Sequence, residues 1–198
     1  DLVSKGFDWK PPVITGASSA RCIIDGTEKI MLCANNYLNL STHPKVRQAA
    51  KDAVDTHGAG SGSVRPIAGN MDIHNQLEES IARFKNREAA LYYQTGFAVN
   101  SGLIPQLAGK NDAIISDQLN HGSIIDGVRL SGVKKENRTI YLHNDMGSLE
   151  DQLKTMTKKC DKTLVISDGV FSMDGDIAPL DEITKLAREY GAMTYIDD

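Results

Sequence analysis

Four stretches of the sequence bring together side chains that a reactive site can use. Asn120, His121 and Ser123 follow a β-prone run. An imidazole placed there can stack on a flat ring or move a proton near neutral pH, and it can equally be a helix-start residue bonded locally. Thr95-Gly96-Phe97 opens a helical segment reaching to about Leu107. The first N–H groups of a helix lack intrahelical partners and point outward, so this start can hold a phosphate; the plainer reading gives Gly96 only a tight turn. Ser167 to Asp176 is a long polar loop in which Phe171 and Met173 are expected to act as internal pins, and such a loop suggests binding. Asp197 and Asp198 stand at the tip of a further β-prone run. A carboxylate at the base of a phosphate-binding crevice can pair with a protonated ring nitrogen and keep it cationic. Neighbours on a strand face opposite ways, so at most one of the two meets a given ligand atom.

These residues need elements to hold them. Apolar runs at Ala89–Tyr93, Ala113–Ser116, Thr139–Leu142, Thr163–Ser167 and Met193–Ile196 alternate with helical segments. That alternation predicts an α/β fold, three layers α/β/α around a mostly parallel sheet whose strands are buried on both faces. Ligands of such sheets gather at the carboxyl ends of the strands, where all four stretches fall. Upstream, residues 1–45 read as an N-terminal segment with a hairpin, Arg21–Ile24 and Lys29–Ala34 joined across Asp25-Gly26; residues 46–198 form the remainder. Helices are predicted over Lys45–Thr56, after Pro44, and over Asp72–Phe84, separated by the glycine-rich loop Gly58–Ser63. His43, His57, His74 and His143 lie beside turn residues or on polar helix faces and are expected to have no chemical role. Because the chain stops at the tip of a predicted buried strand, we expect it to be the front part of a longer protein.

The 198 residues carry 22 Lys+Arg against 26 Asp+Glu, scattered rather than clustered, so no nucleic-acid partner is expected. Cys22, Cys33 and Cys160 are odd in number and have no metal-ligand spacing, which argues for a reducing, cytoplasmic setting and against a metal site. No apolar run approaches the roughly 18 residues of a membrane span, so no membrane partner is expected.

Taken in order, several motifs resemble one family, the α-oxoamine synthases, pyridoxal-phosphate enzymes of fold type I. They are Cys33-Ala-Asn-Asn-Tyr-Leu38, Ser63-Val-Arg-Pro-Ile-Ala-Gly69 with His74, Ile115 to Leu130, His143-Asn-Asp145 and Asp168-Gly-Val-Phe-Ser-Met-Asp-Gly175. The resemblance implies the N-terminal part of the large domain, truncated before the rest of that domain and the C-terminal domain. It implies that Gly96 and Phe97 hold the phosphate of pyridoxal 5'-phosphate and that His121 stacks on its ring. It gives Asp197 the pairing with the ring nitrogen, Ser172 a place near the phenolic oxygen and the substrate carboxylate, and Asn35 a part in positioning the substrate. The family's Schiff-base lysine and carboxylate-binding arginine fall beyond residue 198. The activity implied is condensation of glycine or another small amino acid with an acyl-CoA, in a homodimer. Among family members the stretches look most like glycine C-acetyltransferases (2-amino-3-ketobutyrate CoA ligases), with 8-amino-7-oxononanoate synthases the alternative; Pro66 and Asn39 depart from the ligase pattern. A non-enzymatic alternative is a scaffold or regulatory subunit that has lost the lysine.

Overall fold

Asp25 and Gly26 both take left-handed backbone conformations, at φ 49° and 78°, as a two-residue type I′ hairpin turn requires. In a computed structural model describing residues 1–198, that turn joins strands β2 (Arg21–Ile24) and β3 (Thr27–Ile30), and a short β1 (Ile14–Thr15) pairs antiparallel with β2. The second strand ends at Ile30 rather than at Ala34, because β2 begins at Arg21, which pairs with Ile30, and offers later residues no strand to pair with.

The chain divides into two units, Asp1–Ala90 and Leu91–Asp198. The first holds this small sheet, helix α1 (Pro44–His57, with Pro44 at its first position) and helix α2 (Asp72–Phe84). Between the helices, Arg65 donates to both carboxylate oxygens of Glu78 and to Asn70 Oδ1. Only Cys22, Gly69 and Ala82 of this unit are buried.

The second unit carries a four-stranded parallel sheet in the order β5 (Arg138–Tyr141), β4 (Ala113–Asp117), β6 (Thr163–Asp168), β7 (Met193–Asp197). Its helices are α3 (Gly96–Leu107), α4 (Gly122–Leu130), α5 (Met146–Lys159) and α6 (Leu180–Glu189). Side chains alternate across the strands and build two cores. Ile114, Leu164 and Ile166 pack with Ile104 of α3 and Ile124 of α4. Ala113, Ile115 and Val165 face Leu149, Leu153 and Met156 of α5 and Ile183 and Ala187 of α6. The result is the expected three-layer α/β/α arrangement.

One predicted strand is absent. Ala89–Tyr93 is β-prone, but no neighbouring strand lies beside it to satisfy its N–H and C=O groups, so it stays outside the sheet. The chain leaves β4 toward β5 and leaves β6 the opposite way, toward β7. The winding therefore reverses between β4 and β6, and their carboxyl ends flank the crevice where such sheets place ligands.

Candidate active site

Three of the four parallel strands end on an aspartate: Asp117, Asp168 and Asp197. Asp168 and Asp197 stand opposite each other in the register of β6 and β7. Between β4 and β6, the buried Asn120 side chain donates to Ser116 Oγ and to the Ile166 carbonyl oxygen, both at 2.9 Å, and accepts the Asp168 N–H at 2.8 Å. Asp168 Oδ2 in turn accepts the His121 N–H at 2.7 Å. Together these bonds fasten the β4–α4 turn to the end of β6. Burial, with the nearby Asp197 charge, raises the Asp168 pKa against the stabilising His121 N–H.

His121 caps α4, where its Nδ1 accepts the Ser123 N–H and lies 2.7 Å from Ser123 Oγ. The buried Asn100 amide donates to Ser123 Oγ at 2.9 Å and to Asp197 Oδ2 at 2.8 Å, while its own oxygen accepts the Tyr195 hydroxyl at 2.7 Å. Every polar atom of this amide's headgroup is used, and one side chain thus links the imidazole to the last carboxylate. Burial and the neighbouring Asp197 charge push the Tyr195 hydroxyl up to about 12. The sequence reading missed Asn100, although a lone amide inside the otherwise apolar start of α3 was a usable signal.

α4 sits against α3 at Gly127, where an added Cβ would collide with the Asn100 carbonyl oxygen. Only glycine allows this backbone approach, and the approach sets the height of Asn100 over the sheet. At the start of α3, Thr95 Oγ1 accepts the Ala98 N–H at 3.0 Å; the N–H groups of Gly96 and Phe97 lie in the exposed first turn, where a helix provides no internal acceptor.

The second unit therefore brings His121 and Asp197 into one bonded cluster through Ser123 and Asn100. Ser172 is exposed in the turn after β6. Of the two expected pins in that turn, Phe171 is buried, but Met173 is 93% exposed. Phe171 fills the α5/α6 core, and the reversal at Gly175 (φ 82°) leaves Met173 outside it. Asn35 lies in the first unit, in an exposed bend after β3. His143 also differs from expectation. Its Nδ1 lies 2.9 Å from Asp117 Oδ1, its Nε2 3.1 Å from Asp176 Oδ2, and its ring meets Phe171 edge to face at 4.4 Å.

A doubly wound sheet with an exposed imidazole and a carboxylate at its switch point is the kind of α/β site at which a small ligand can be held. The sequence profile of the family "Aminotransferase class I and II" matches residues 27–198, and the chain belongs to that family, within its pyridoxal-phosphate-dependent α-oxoamine synthase branch. It is 50% identical over 198 residues to an 8-amino-7-oxononanoate synthase of Alkaliphilus metalliredigens, covering all of this chain and 49% of that protein. Among solved structures it resembles Sphingomonas wittichii serine palmitoyltransferase, with TM-score 0.90 and 33% identity over 98% of this chain and 48% of the other. A high-resolution serine palmitoyltransferase structure with bound PLP gives TM-score 0.89 and 31% identity, with the same coverage. The chain spans about half the length of the curated relatives it matches.

Proposed function

We propose that the protein of which this chain forms part condenses a small amino acid with an acyl-CoA, releasing CoA and carbon dioxide, and that its reaction is of the 8-amino-7-oxononanoate synthase type. The observation that carries the cofactor half of this reading is the bonded chain His121–Ser123–Asn100–Asp197 at the switch point. The residues fit pyridoxal phosphate. Asn100 engages one oxygen of Asp197 and so orients the carboxylate as an acceptor for a ring N–H. His121 is exposed and holds its ring plane through Nδ1. The first-turn N–H groups of Gly96 and Phe97 suit a phosphate. When bound, the cofactor supplies an electron sink for the pair left at the amino acid's α-carbon. Asp197 would keep the ring nitrogen protonated, His121 would fix the ring plane, and Ser172 would lie near the phenolic oxygen and the substrate carboxylate. Asn35 is assigned to the substrate on its sequence motif alone.

The relatives' name gives a product skeleton, from which the joined parts can be inferred. In 8-amino-7-oxononanoate, carbons 8 and 9 with the amine are alanine without its carboxyl group, and carbons 1 to 7 are a seven-carbon dicarboxylic acyl group. The new bond joins C7 to C8; the thioester C–S bond and the alanine Cα–carboxyl bond break. This favours alanine and a long dicarboxylic acyl thioester over the glycine and acetyl-CoA that the motif comparison put first. The test is to assay CoA release by the full-length protein for both pairs. Preference for alanine with the seven-carbon thioester supports the reading, and preference for glycine with acetyl-CoA overturns it in favour of a glycine C-acetyltransferase.

We also place the protein in the cytoplasm as a homodimer. Three free cysteines support the first assignment. The wide exposure of Trp9, Leu32, Tyr37, Ile67 and Phe84 in a unit that buries so little supports the second. No helix is long and apolar enough to cross a membrane.

A further inference from the structure

The turn that carries Ser172 is closed by Phe171 and Asp176, and His143 touches both. The Phe171 N–H donates to the Asp176 carbonyl at 2.9 Å, and the Gly175 N–H donates to the Phe171 carbonyl at 2.7 Å, so the turn is short and internally bonded. His143 stands at its base, with one ring nitrogen toward Asp176 and the other toward Asp117. Asp117 is a firm anchor. Its side chain is wholly buried at the end of β4, and it also accepts the N–H groups of Leu119 at 2.8 Å and Asn144 at 3.2 Å.

A neutral imidazole donates from one nitrogen only, whereas two carboxylates call for two donors, which the imidazolium provides. The charged groups facing the ring are Asp117, from β4, and Asp176, from the loop after β6. Asn144 Nδ2 lies 3.1 Å from Nε2, and the buried Asn144 Oδ1 has no partner. A half-turn of that amide gives Oδ1 a bond from Nε2–H, again with the ring doubly protonated.

We propose that His143 is a positioning residue which, as an imidazolium, braces the 171–176 turn against the end of β4 and so fixes Ser172 at the crevice. The link to catalysis rests on the assignment of Ser172 to the site; the brace itself does not. Burial alone would lower the histidine's pKa, but the bonds and charges of Asp117 and Asp176 outweigh it and raise the value above its ordinary one. The brace is therefore complete below the ordinary histidine pKa and is lost as pH rises through the higher folded value.

The test uses the full-length protein and measures hydrogen-exchange protection over 169–178 as a function of pH. Protection at Phe171 and Gly175 should fall about tenfold as His143 deprotonates, with β4 and β6 unchanged. His143→Gln should show the loosened turn at every pH and raise KM for the amino acid more than it lowers kcat. Should that variant fail to fold, Asp176→Asn, at a half-exposed position, should shift the midpoint of the protection profile to lower pH. Protection that is independent of pH and unaltered in Asp176→Asn overturns the brace. Ser172→Ala tests the other assignment separately: normal turnover in that variant overturns the role of Ser172 and leaves the exchange result standing.

Discussion

Replacing Gly127 by alanine asks whether the crossing of α3 and α4 sets the geometry of the site. The new Cβ would overlap the Asn100 carbonyl oxygen and lie 2.9 Å from Ile104 Cδ1 and 3.0 Å from the Asn100 carbonyl carbon. Carbon pairs settle about 3.5 to 4.0 Å apart, so the helices must part by about 0.5 to 1 Å. Part of the obstacle is backbone, which cannot swing aside as a side chain can. Overpacking of this kind costs about 1–3 kcal/mol, against about 1 kcal/mol gained in helix propensity when glycine becomes alanine. With a rigid obstacle the upper figure applies, and the net loss is about 2 kcal/mol. In urea, at a slope of about 2 kcal/mol per molar, that lowers the midpoint by roughly 1 M. The Asn100 bonds to Asp197 and Ser123, now 2.8 and 2.9 Å, would stretch by a similar amount and leave hydrogen-bond range. Pyridoxal phosphate affinity, read by absorbance titration of the full-length protein, should fall as well. Gly122→Ala is the control, since a Cβ there meets nothing within 4 Å. It should unfold at or slightly above the parent midpoint. Equal midpoints and equal cofactor affinity for the two alanine variants would refute the reasoning.

Asp197→Asn should nearly abolish turnover of the full-length protein while leaving its circular dichroism intact; an undiminished rate removes Asp197 from the chemistry. The raised Asp168 pKa means that folding takes up a proton there, so this residue makes stability fall as pH climbs from about 4 through its folded value. In Asp168→Asn, whose amide oxygen can still accept the His121 N–H, that fall should vanish from the difference between the two stability–pH curves, and parallel curves would contradict it. The ultraviolet difference between parent and Tyr195→Phe should show no phenolate below about pH 11. Ionisation near pH 10 would mean that Tyr195 does not lie half-buried beside Asp197.

Much of the framework was legible because local pattern and tertiary role agree. α2 begins and ends where its periodicity does, and β4 and β6 are apolar runs buried on both faces. The failures have a common cause, since each depends on a partner remote in the chain. Ala89–Tyr93 has a strand's composition but no neighbour to pair with. Met173 is apolar like Phe171, yet the fold buries only Phe171. His143 looked bland beside its turn, since Asp117 and Asp176 stand 26 and 33 residues away. Within the site, His121 and Asp197 could be picked out because they end predicted elements. Asn100 shows in the sequence only as a lone amide at the apolar start of a helix, because its importance comes from Asp197, 97 residues on.

The two halves of the candidate site are mounted on opposite sides of the sheet. Asn100, Ser123 and His121 belong to α3 and α4 and rest on the core of Ile104, Ile124 and Ile166, whereas the Ser172 turn is rooted through Phe171 and Ala178 in the core of α5 and α6. Substitutions in cores separated in this way combine almost additively. A lineage can therefore repack α5 and α6 and reshape the turn while the bonded cluster of His121, Ser123, Asn100 and Asp197 stays constant. Sequence variation in the turn should accordingly accumulate together with variation in the α5/α6 core, on one face of the sheet, and engineering of the turn has its free positions there.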